Sequence, residues 1–370
     1  MGGLSLVRAM LLALLPLCCC LMTSAGQAAD AISGTDLVRV ETGPSSGITV
    51  QLGEELANLL DDGATRRVMP VVGRGGVQNL SDLLLGRGID VAFVQLDVLD
   101  YAQAQSLFPA LESRIDYITK LNYVEFHLLA GPDVTDIDNL TGKVVDVGPV
   151  LGDTAITADR LFKLLKISTV TSNDDPELAI ARLRRGEIAA VAFVGGKPAP
   201  LLRLTNTDGL HLVAVPLTTD VVAAYVPSRL NASDYPGLVS RDAPVDTIAV
   251  PTGLFVATVP NGSDQYRKLA GLVDVMFTRF QTLLTPGHHD KWAEVNLSSL
   301  IPGWQRFPPA DEWLKRNGAA AGSQDVRTIF MKFLDERAKI TGGQQLSQQQ
   351  KDALFDQFRR WQSVQEGQSN

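Results

Sequence analysis

The stretch that most constrains the fold is Gly148–Leu165, GPVLGDTAITADRLFKLL, together with the β-branched run at 143–147 that precedes it. The run contains three valines in five residues, which is typical of a buried strand. Four apolar residues then recur at helical spacing: Ile156, Leu161, Leu164 and Leu165. Thr154 is placed to cap this helix. The pattern predicts a strand, a Gly/Pro loop and an amphipathic helix.

Such a unit places free backbone N–H groups and the positive end of a helix dipole at the edge of a sheet. A carboxylate or a phosphate suits that position. An ordinary βα turn without any ligand shows the same pattern, so this segment alone does not define a site.

The same order of strand, loop and helix occurs three times earlier in the chain. The predicted strands are Leu37–Thr42, Val68–Val72 and Ile89–Val94. The third runs into a helix for which Asp97 is a candidate N-cap. Repetition of this unit is typical of a doubly wound, mostly parallel sheet, in which ligands bind at the carboxyl ends of the strands.

A second α/β set begins near residue 133, and GIDVAFVQ at 88–95 is echoed by GEIAAVAFVG at 186–195. Two lobes of similar plan are therefore predicted. Residues 225–251 contain four prolines and are predicted to be irregular. Long β segments near Phe126–Ala130 and Ile248–Val259 are expected to form a two-stranded hinge, which suits a clamshell that closes on a ligand.

The predicted domains follow from this plan. Residues 1–29 form a processing segment, lobe 1 takes 30–131 plus 252–318, and lobe 2 takes 132–251. Residues 319–370 are predicted to be a helical extension that packs on one lobe, with contact to a partner as the alternative. In the first 29 residues, Arg8 is followed by 14 apolar residues and then by small residues, as in a secretory signal.

Export is therefore expected, most simply to the periplasm. Cys18, Cys19 and Cys20 all lie in the predicted signal, so no disulfide or thiolate site is expected in the processed chain. The net charge of −8 and the absence of a dense basic patch argue against nucleic acid as a partner.

No catalytic or metal-binding pattern stands out. The four histidines have no partner at metal-ligand spacing, and there is no G-x-S-x-G nucleophile motif. Gly73-Arg74-Gly75-Gly76 lacks the Lys-Ser/Thr pair of a phosphate-binding P-loop. We expect no enzyme activity, cofactor or metal.

Four segments together resemble one known family: TGPSSGITVQLG at 42–53, GGVQNL at 75–80, VQLDVLDYA at 94–102 and GKVVDVGPVLGDTAITADRLF at 142–162. Their order and spacing are similar to the TAXI group of TRAP-transporter solute-binding proteins. The resemblance implies a two-lobed clamshell of the periplasmic-binding-protein type (type II-like). It also implies a receptor that passes a small organic acid to an ion-driven TRAP permease. We expect a monomer.

The resemblance also implies the binding residues. It assigns a ligand-binding role to Ser45, Ser46, Gly47, Gln95, Gly152, Asp153 and Thr154, and more weakly to Phe193 and Gly195. Arg74 and Asp153 stand where the family has other residues. Arg74 is a candidate carboxylate clamp or a surface arginine. Asp153 either points away from the ligand or meets a cationic group on it, because an unpaired buried acid is costly.

Three alternatives remain open from the sequence. They are a binding protein for an ABC importer or a sensor, an enzyme on the same fold, and a scaffold that uses the C-terminal helices.

Overall fold

The computed structural model describes residues 36–204, 207, 209–317, 347 and 351. The predicted signal segment lies outside the described residues, as do the two predicted C-terminal helices apart from residues 347 and 351. The strands are β1 (Asp36–Thr42), β2 (Arg66–Val72), β3 (Val91–Gln95), β4 (Ile115–Ala130), β5 (Val144–Asp146), β6 (Val170–Ser172), β7 (Ala190–Gly195), β8 (His211–Leu212), β9 (Val226–Leu230) and β10 (Val245–Ala257). The α-helices are α1 (Thr49–Leu60), α2 (Gly76–Leu84), α3 (Leu96–Ala104), α4 (Asp153–Leu165), α5 (Pro176–Arg184), α6 (Thr219–Ala224) and α7 (Asp264–Arg279).

The described strands form one sheet that runs through both lobes, in the order β2-β1-β3-β10-β4-β7-β5-β6. In lobe 1, β2, β1 and β3 are parallel and β10 joins them antiparallel. In lobe 2, β6, β5 and β7 are parallel and β4 joins them antiparallel. The two lobes therefore share one plan, as predicted from the echo between residues 88–95 and 186–195.

Helical amphipathicity explains how each lobe encloses its core. In α1, Leu52, Leu56 and Leu60 recur at four-residue spacing and are at most 1% exposed. They pack in the lobe 1 core, where Trp292 is also buried. In lobe 2, Leu161 of α4 packs with the buried valines and alanines of β5 and β7. None of the described helices has the length and apolarity needed to cross a membrane.

The hinge consists of β4 and β10, which pair antiparallel from Ala249–Glu125 to Ala257–Ile115. The pairing register shifts between Pro251 and Gly253. Beyond the hinge, β4 continues into lobe 2 beside β7, and β10 continues into lobe 1 beside β3. The α/β clamshell with a two-stranded hinge is therefore confirmed, whereas the exact domain boundaries stay predictions. The predicted hinge segment is corrected: β10 pairs with Ile115–Glu125, while Phe126–Ala130 pairs with β7 in lobe 2.

The structure corrects the expectation that residues 225–251 are irregular. This segment contains β9 and the start of β10, which pair antiparallel from Val245–Leu230 to Ala249–Val226. Pro227 is accommodated because β9 has β10 as its only partner strand in the described sheet. Counting prolines misled the prediction, because Pro227 lies on an edge strand, Pro251 lies at the register shift in β10, and Pro236 and Pro244 lie outside the strands.

Candidate ligand-binding site

A cavity of about 680 Å³ lies between the lobes, at the carboxyl ends of β1, β2, β3, β5 and β7. All ten residues predicted from the sequence line it: Ser45, Ser46, Gly47, Arg74, Gln95, Gly152, Asp153, Thr154, Phe193 and Gly195. Their positions thus agree with one shared site, while their role in binding stays a prediction.

The loop after β1 is a tight turn that presents two serines. The Gly47 amide donates to the Pro44 carbonyl at 2.9 Å, and the Gly43 amide donates to the Thr49 hydroxyl at 2.9 Å. Ser45 is exposed and Ser46 is half-buried. Neither hydroxyl has a hydrogen-bond partner among the described residues, so both remain available to a solute.

Arg74 follows β2 and lines the same wall of the cavity. Its guanidinium is exposed and makes no ion pair or hydrogen bond with the described part of the chain. Asn79 holds the loop that carries it. The Asn79 side chain accepts from the Gly75 amide at 2.9 Å and donates to the Thr42 carbonyl at 2.8 Å. Sequence reasoning missed Asn79 because the Thr42 carbonyl, to which it donates, is distant in the sequence.

Gln95 ends β3, is 5% exposed and lines the cavity. Its Nε2 donates to Asp97 Oδ1 at 2.9 Å and to the Thr157 hydroxyl at 3.1 Å. The prediction that Asp97 is the N-cap of α3 is therefore wrong. Gln95 occupies the cap position, and its side chain makes no capping hydrogen bond to the helix backbone. The Asp97 carboxylate also accepts from the Tyr225 hydroxyl at 3.2 Å. Burial raises the pKa of Asp97, although these donors oppose the rise.

Asp146 at the end of β5 shapes the loop at the start of Gly148–Leu165. Its fully buried carboxylate accepts from the Gly148 amide at 3.0 Å, the Ser172 hydroxyl at 2.8 Å and the Asp174 amide at 2.9 Å. It also lines the cavity. We did not predict it, although an acid directly after two strand valines was a visible signal.

Asp153 is the first residue of α4, and its Oδ1 accepts from the Gly76 amide of lobe 1 at 2.9 Å. Asp153 also lines the cavity. Burial raises the pKa of Asp153 to about 7, and the nearby charge of Asp97 adds to the rise, while the Gly76 amide opposes it. At neutral pH this acid therefore exchanges readily between its charged and neutral forms.

Thr154 does not cap α4, contrary to the prediction. The N-cap position belongs to Gly152, which has no side chain to form a cap. The Thr154 hydroxyl instead accepts from the Val194 amide of β7 at 3.0 Å. That bond fixes the start of α4 against the neighbouring strand and leaves the hydroxyl proton free to be donated.

The end of β7 forms the remaining wall. Phe193 is 6% exposed, and its ring packs against His127 and the backbone of Gly195. A Cβ on Gly195 would lie 2.4 Å from that ring. A Cβ on Gly196 would lie 2.4 Å from Ile48 of lobe 1. Small residues here therefore let the two lobes approach closely.

The charges around the cavity are unequal. Arg74 is accompanied by four acids, of which Asp146 is buried, Asp153 is half-buried, and Asp175 and Glu177 are exposed. The lobe 1 wall offers a guanidinium and hydroxyls to an anion, and the lobe 2 wall offers acceptors. Within the described residues, no group of three His, Cys, Asp or Glu side chains could hold a metal ion.

The α/β sheet with its interlobe cavity has the two-lobed, type II periplasmic-binding-protein fold. The chain belongs to the NMT1-like family, whose model matches residues 40–300. No curated protein matches its sequence.

Several solved structures are similar to the chain at low sequence identity. A structure described as a periplasmic transporter has 13% identity and a TM-score of 0.48, over 77% of this chain and 95% of the other. The periplasmic binding protein BugD has 14% identity and a TM-score of 0.46, over 76% of this chain and 98% of BugD. A TctC solute-binding protein from Polaromonas has 15% identity and a TM-score of 0.43, over 76% and 88%.

Proposed function

We propose that this protein is a periplasmic receptor that captures a small organic acid, either a simple carboxylate or an amino acid, between its two lobes. It delivers the solute to a TRAP-type membrane permease, as the resemblance to the TAXI group implies. It acts as a monomer and performs no catalysis. The solute is held by hydrogen bonds and charge, and its contacts with both lobes stabilise the closed arrangement.

The observation that carries this proposal is that Arg74, Ser45 and Ser46 line one interlobe cavity and that none of their side chains is paired within the described part of the chain. A guanidinium presents a planar set of donors that matches a carboxylate in two parallel hydrogen bonds. The hydroxyls add neutral donors on the same wall. A volume of about 680 Å³ is ample for an acid of a few carbon atoms.

The acidic residues on the lobe 2 wall indicate which further groups the solute carries. A charged Asp153 would repel a carboxylate of the solute placed next to it. A neutral Asp153 can instead donate a hydrogen bond to the solute. The solute therefore turns its carboxylate towards Arg74 and a different group, such as an amine or a hydroxyl, towards Asp153.

Isothermal titration calorimetry on the purified protein tests the proposal. The panel contains mono- and dicarboxylates, 2-oxo acids, 2-hydroxy acids and amino acids, with a sugar and a polyamine as controls. Binding of at least one acid in the micromolar range or tighter, with one site per chain, supports the receptor. Binding of only the sugar or the polyamine overturns the proposal that the solute is an organic acid. Turnover of a bound acid overturns the proposal that the protein is not an enzyme.

The delivery step needs a separate test. Purified permease in proteoliposomes should take up the radiolabelled acid only when this protein is present and an ion gradient is imposed. Uptake that requires ATP instead of the gradient would assign the protein to an ABC importer.

A further inference from the structure

Asp97 lies where the two lobes meet and is 4% exposed. Its Oδ1 accepts from Gln95 Nε2 at 2.9 Å, and its Oδ2 accepts from the hydroxyls of Thr157 at 2.7 Å and Tyr225 at 3.2 Å. Gln95 and Asp97 belong to lobe 1, whereas Thr157 and Tyr225 belong to lobe 2. The carboxylate thus collects donors from both lobes.

This arrangement fixes which end of the Gln95 side chain faces the cavity. A free carboxamide can present either two donors or one acceptor. Here Nε2 is used by Asp97 and by the Thr157 hydroxyl at 3.1 Å. The Oε1 atom has no hydrogen-bond partner in the described part of the chain, and Gln95 lines the cavity. The side chain therefore presents an acceptor.

We propose that Asp97 is a positioning residue that holds Gln95 with its carbonyl oxygen towards the solute. As a result, the site selects acids that bring an N–H or O–H donor to Gln95. Thr157 lies on lobe 2, so its hydroxyl can accept from Gln95 only when the two lobes are in contact. The selection between solutes is therefore coupled to closure of the lobes. The inference rests on the proposed function for its solute, but the orientation of Gln95 can be measured without one.

The variant Asp97→Asn separates positioning from a merely structural role. The Asn carbonyl oxygen would keep the donors from Thr157 and Tyr225, which leaves its NH₂ towards Gln95. Gln95 must then turn over, so that it presents its own NH₂ to the cavity. A structural role would weaken all acids alike, whereas turning the carboxamide reverses the preference between a donor and an acceptor on the solute.

The probes are matched pairs that differ only in a hydroxyl and a keto group: lactate and pyruvate, malate and oxaloacetate, and 2-hydroxyglutarate and 2-oxoglutarate. In the wild type, calorimetry should give a preference for the hydroxy acid of roughly tenfold or more. Asp97→Asn should remove or reverse this ratio. An unchanged ratio in a folded Asp97→Asn protein, or a keto preference in the wild type, overturns the proposal.

Two further variants distinguish a change in the orientation of Gln95 from a general loss of folding. Thr157→Val is nearly isosteric and removes one acceptor of Nε2, so the ratio should fall by part of the same amount. Asp100→Asn is the matched control, because Asp100 lies on the same helix and reaches lobe 2 through Arg160 at 2.8 Å. It does not contact Gln95, and its variant should keep the wild-type ratio.

A spectrum of protein labelled with ¹⁵N-glutamine decides the orientation without a solute, with Gln95→Glu used for assignment. The Gln95 Nε2 protons should exchange at least tenfold more slowly than those of exposed glutamines and should lose this protection in Thr157→Val. Rapid exchange in the wild type overturns the positioning. If none of the three pairs binds, the tested acids fail as solutes, and this spectrum alone then supports or overturns the role of Asp97.

Discussion

The Asp153 carboxylate of lobe 2 accepts a hydrogen bond from the Gly76 amide of lobe 1 at 2.9 Å. Beside it, the Val77 amide donates to the Leu151 carbonyl at 3.1 Å. Together these bonds join the start of α4 in lobe 2 to the start of α2 in lobe 1. The lobes are therefore held by their own contacts as well as by any solute, which makes closure measurable in the free protein.

The first prediction concerns pH. The pKa of Asp153 is about 7 with the lobes together, whereas an exposed aspartate titrates near 3.8. The closed state therefore binds the proton more tightly, and closure loses stability as the pH rises from about 4 to about 7. Each unit of pKa difference is worth about 1.4 kcal/mol, so even a third of the shift changes the closed-to-open ratio about tenfold.

Spin labels at Met69→Cys and Val170→Cys would report this change. Both positions are exposed and lie on the edge strands β2 and β6, and the three native cysteines would be replaced by serine. The closed distance should be more populated at pH 5 than at pH 8. Asp153→Asn should largely remove the difference, with Asp97 supplying what remains. A full pH response in Asp153→Asn would contradict this account.

The second prediction concerns the close approach at Gly76. A Cβ there would lie 2.2 Å from the Leu151 carbonyl oxygen, so Gly76→Ala should prevent full closure. Gly76 has a φ of +56°, and alanine also strains such a backbone. Gly86→Ala is the control, because Gly86 has a φ of +67° but no described residue other than its chain neighbours lies within 4 Å of its Cβ position.

Both variants should lose about 1–2 kcal/mol of stability, because alanine replaces glycine in a left-handed backbone conformation. Only Gly76→Ala should shift the spin-label distance towards the open state and weaken solute binding at least tenfold. Equal distance distributions in the two variants would show that the contact does not limit closure.

The third prediction concerns the carboxylate clamp. Charged hydrogen bonds contribute about 1.5–3 kcal/mol, so Arg74→Gln should weaken the bound acid by roughly 10- to 100-fold. Arg74→Lys should recover only part of the loss, since an ammonium lacks the planar pair of donors. Arg87→Gln serves as a control on the same lobe because Arg87 pairs with Asp82 and does not line the cavity. Calorimetry that gives Arg74→Gln wild-type affinity would remove Arg74 from the site.

The fourth prediction concerns the hinge. Lys291 Nζ lies 2.8 Å from Glu125 Oε1 on β4, and both side chains are at most 5% exposed. Lys291→Ala leaves the Glu125 charge buried without its nearest partner and should cost about 3–5 kcal/mol. Lys163→Ala breaks an exposed pair with Asp159 and should cost at most about 0.5 kcal/mol. Urea denaturation compares the two, and equal losses would contradict the importance of the buried pair.

Periodicity predicted most of the fold because the βα units differ clearly in the spacing of their apolar residues. The strand of residues 190–195 and the helix of 153–165 were both visible in this way. The strand β9 and its pairing with β10 were not visible, because Pro227 lies on an edge strand where the missing amide is tolerated. Nearest-neighbour reasoning also misassigned the two caps at Asp97 and Thr154.

Those two side chains bond to residues that are distant in sequence, namely Tyr225 and Val194. The neighbouring sequence does not indicate such distant partners. A residue that caps a helix and a residue that bonds to a distant segment therefore show the same local pattern. The candidate site was predictable for a different reason. Parallel strands bring their carboxyl ends together, so loops far apart in sequence meet wherever the fold class is correct.

A crystal structure of the protein with the tightest-binding acid tests the central claim most directly. The account predicts density for the acid in the cavity between the lobes, with its carboxylate on Arg74 and a hydrogen-bond donor on Gln95. Saturating acid that leaves this cavity without ligand density, or that binds elsewhere on the molecule, would contradict it.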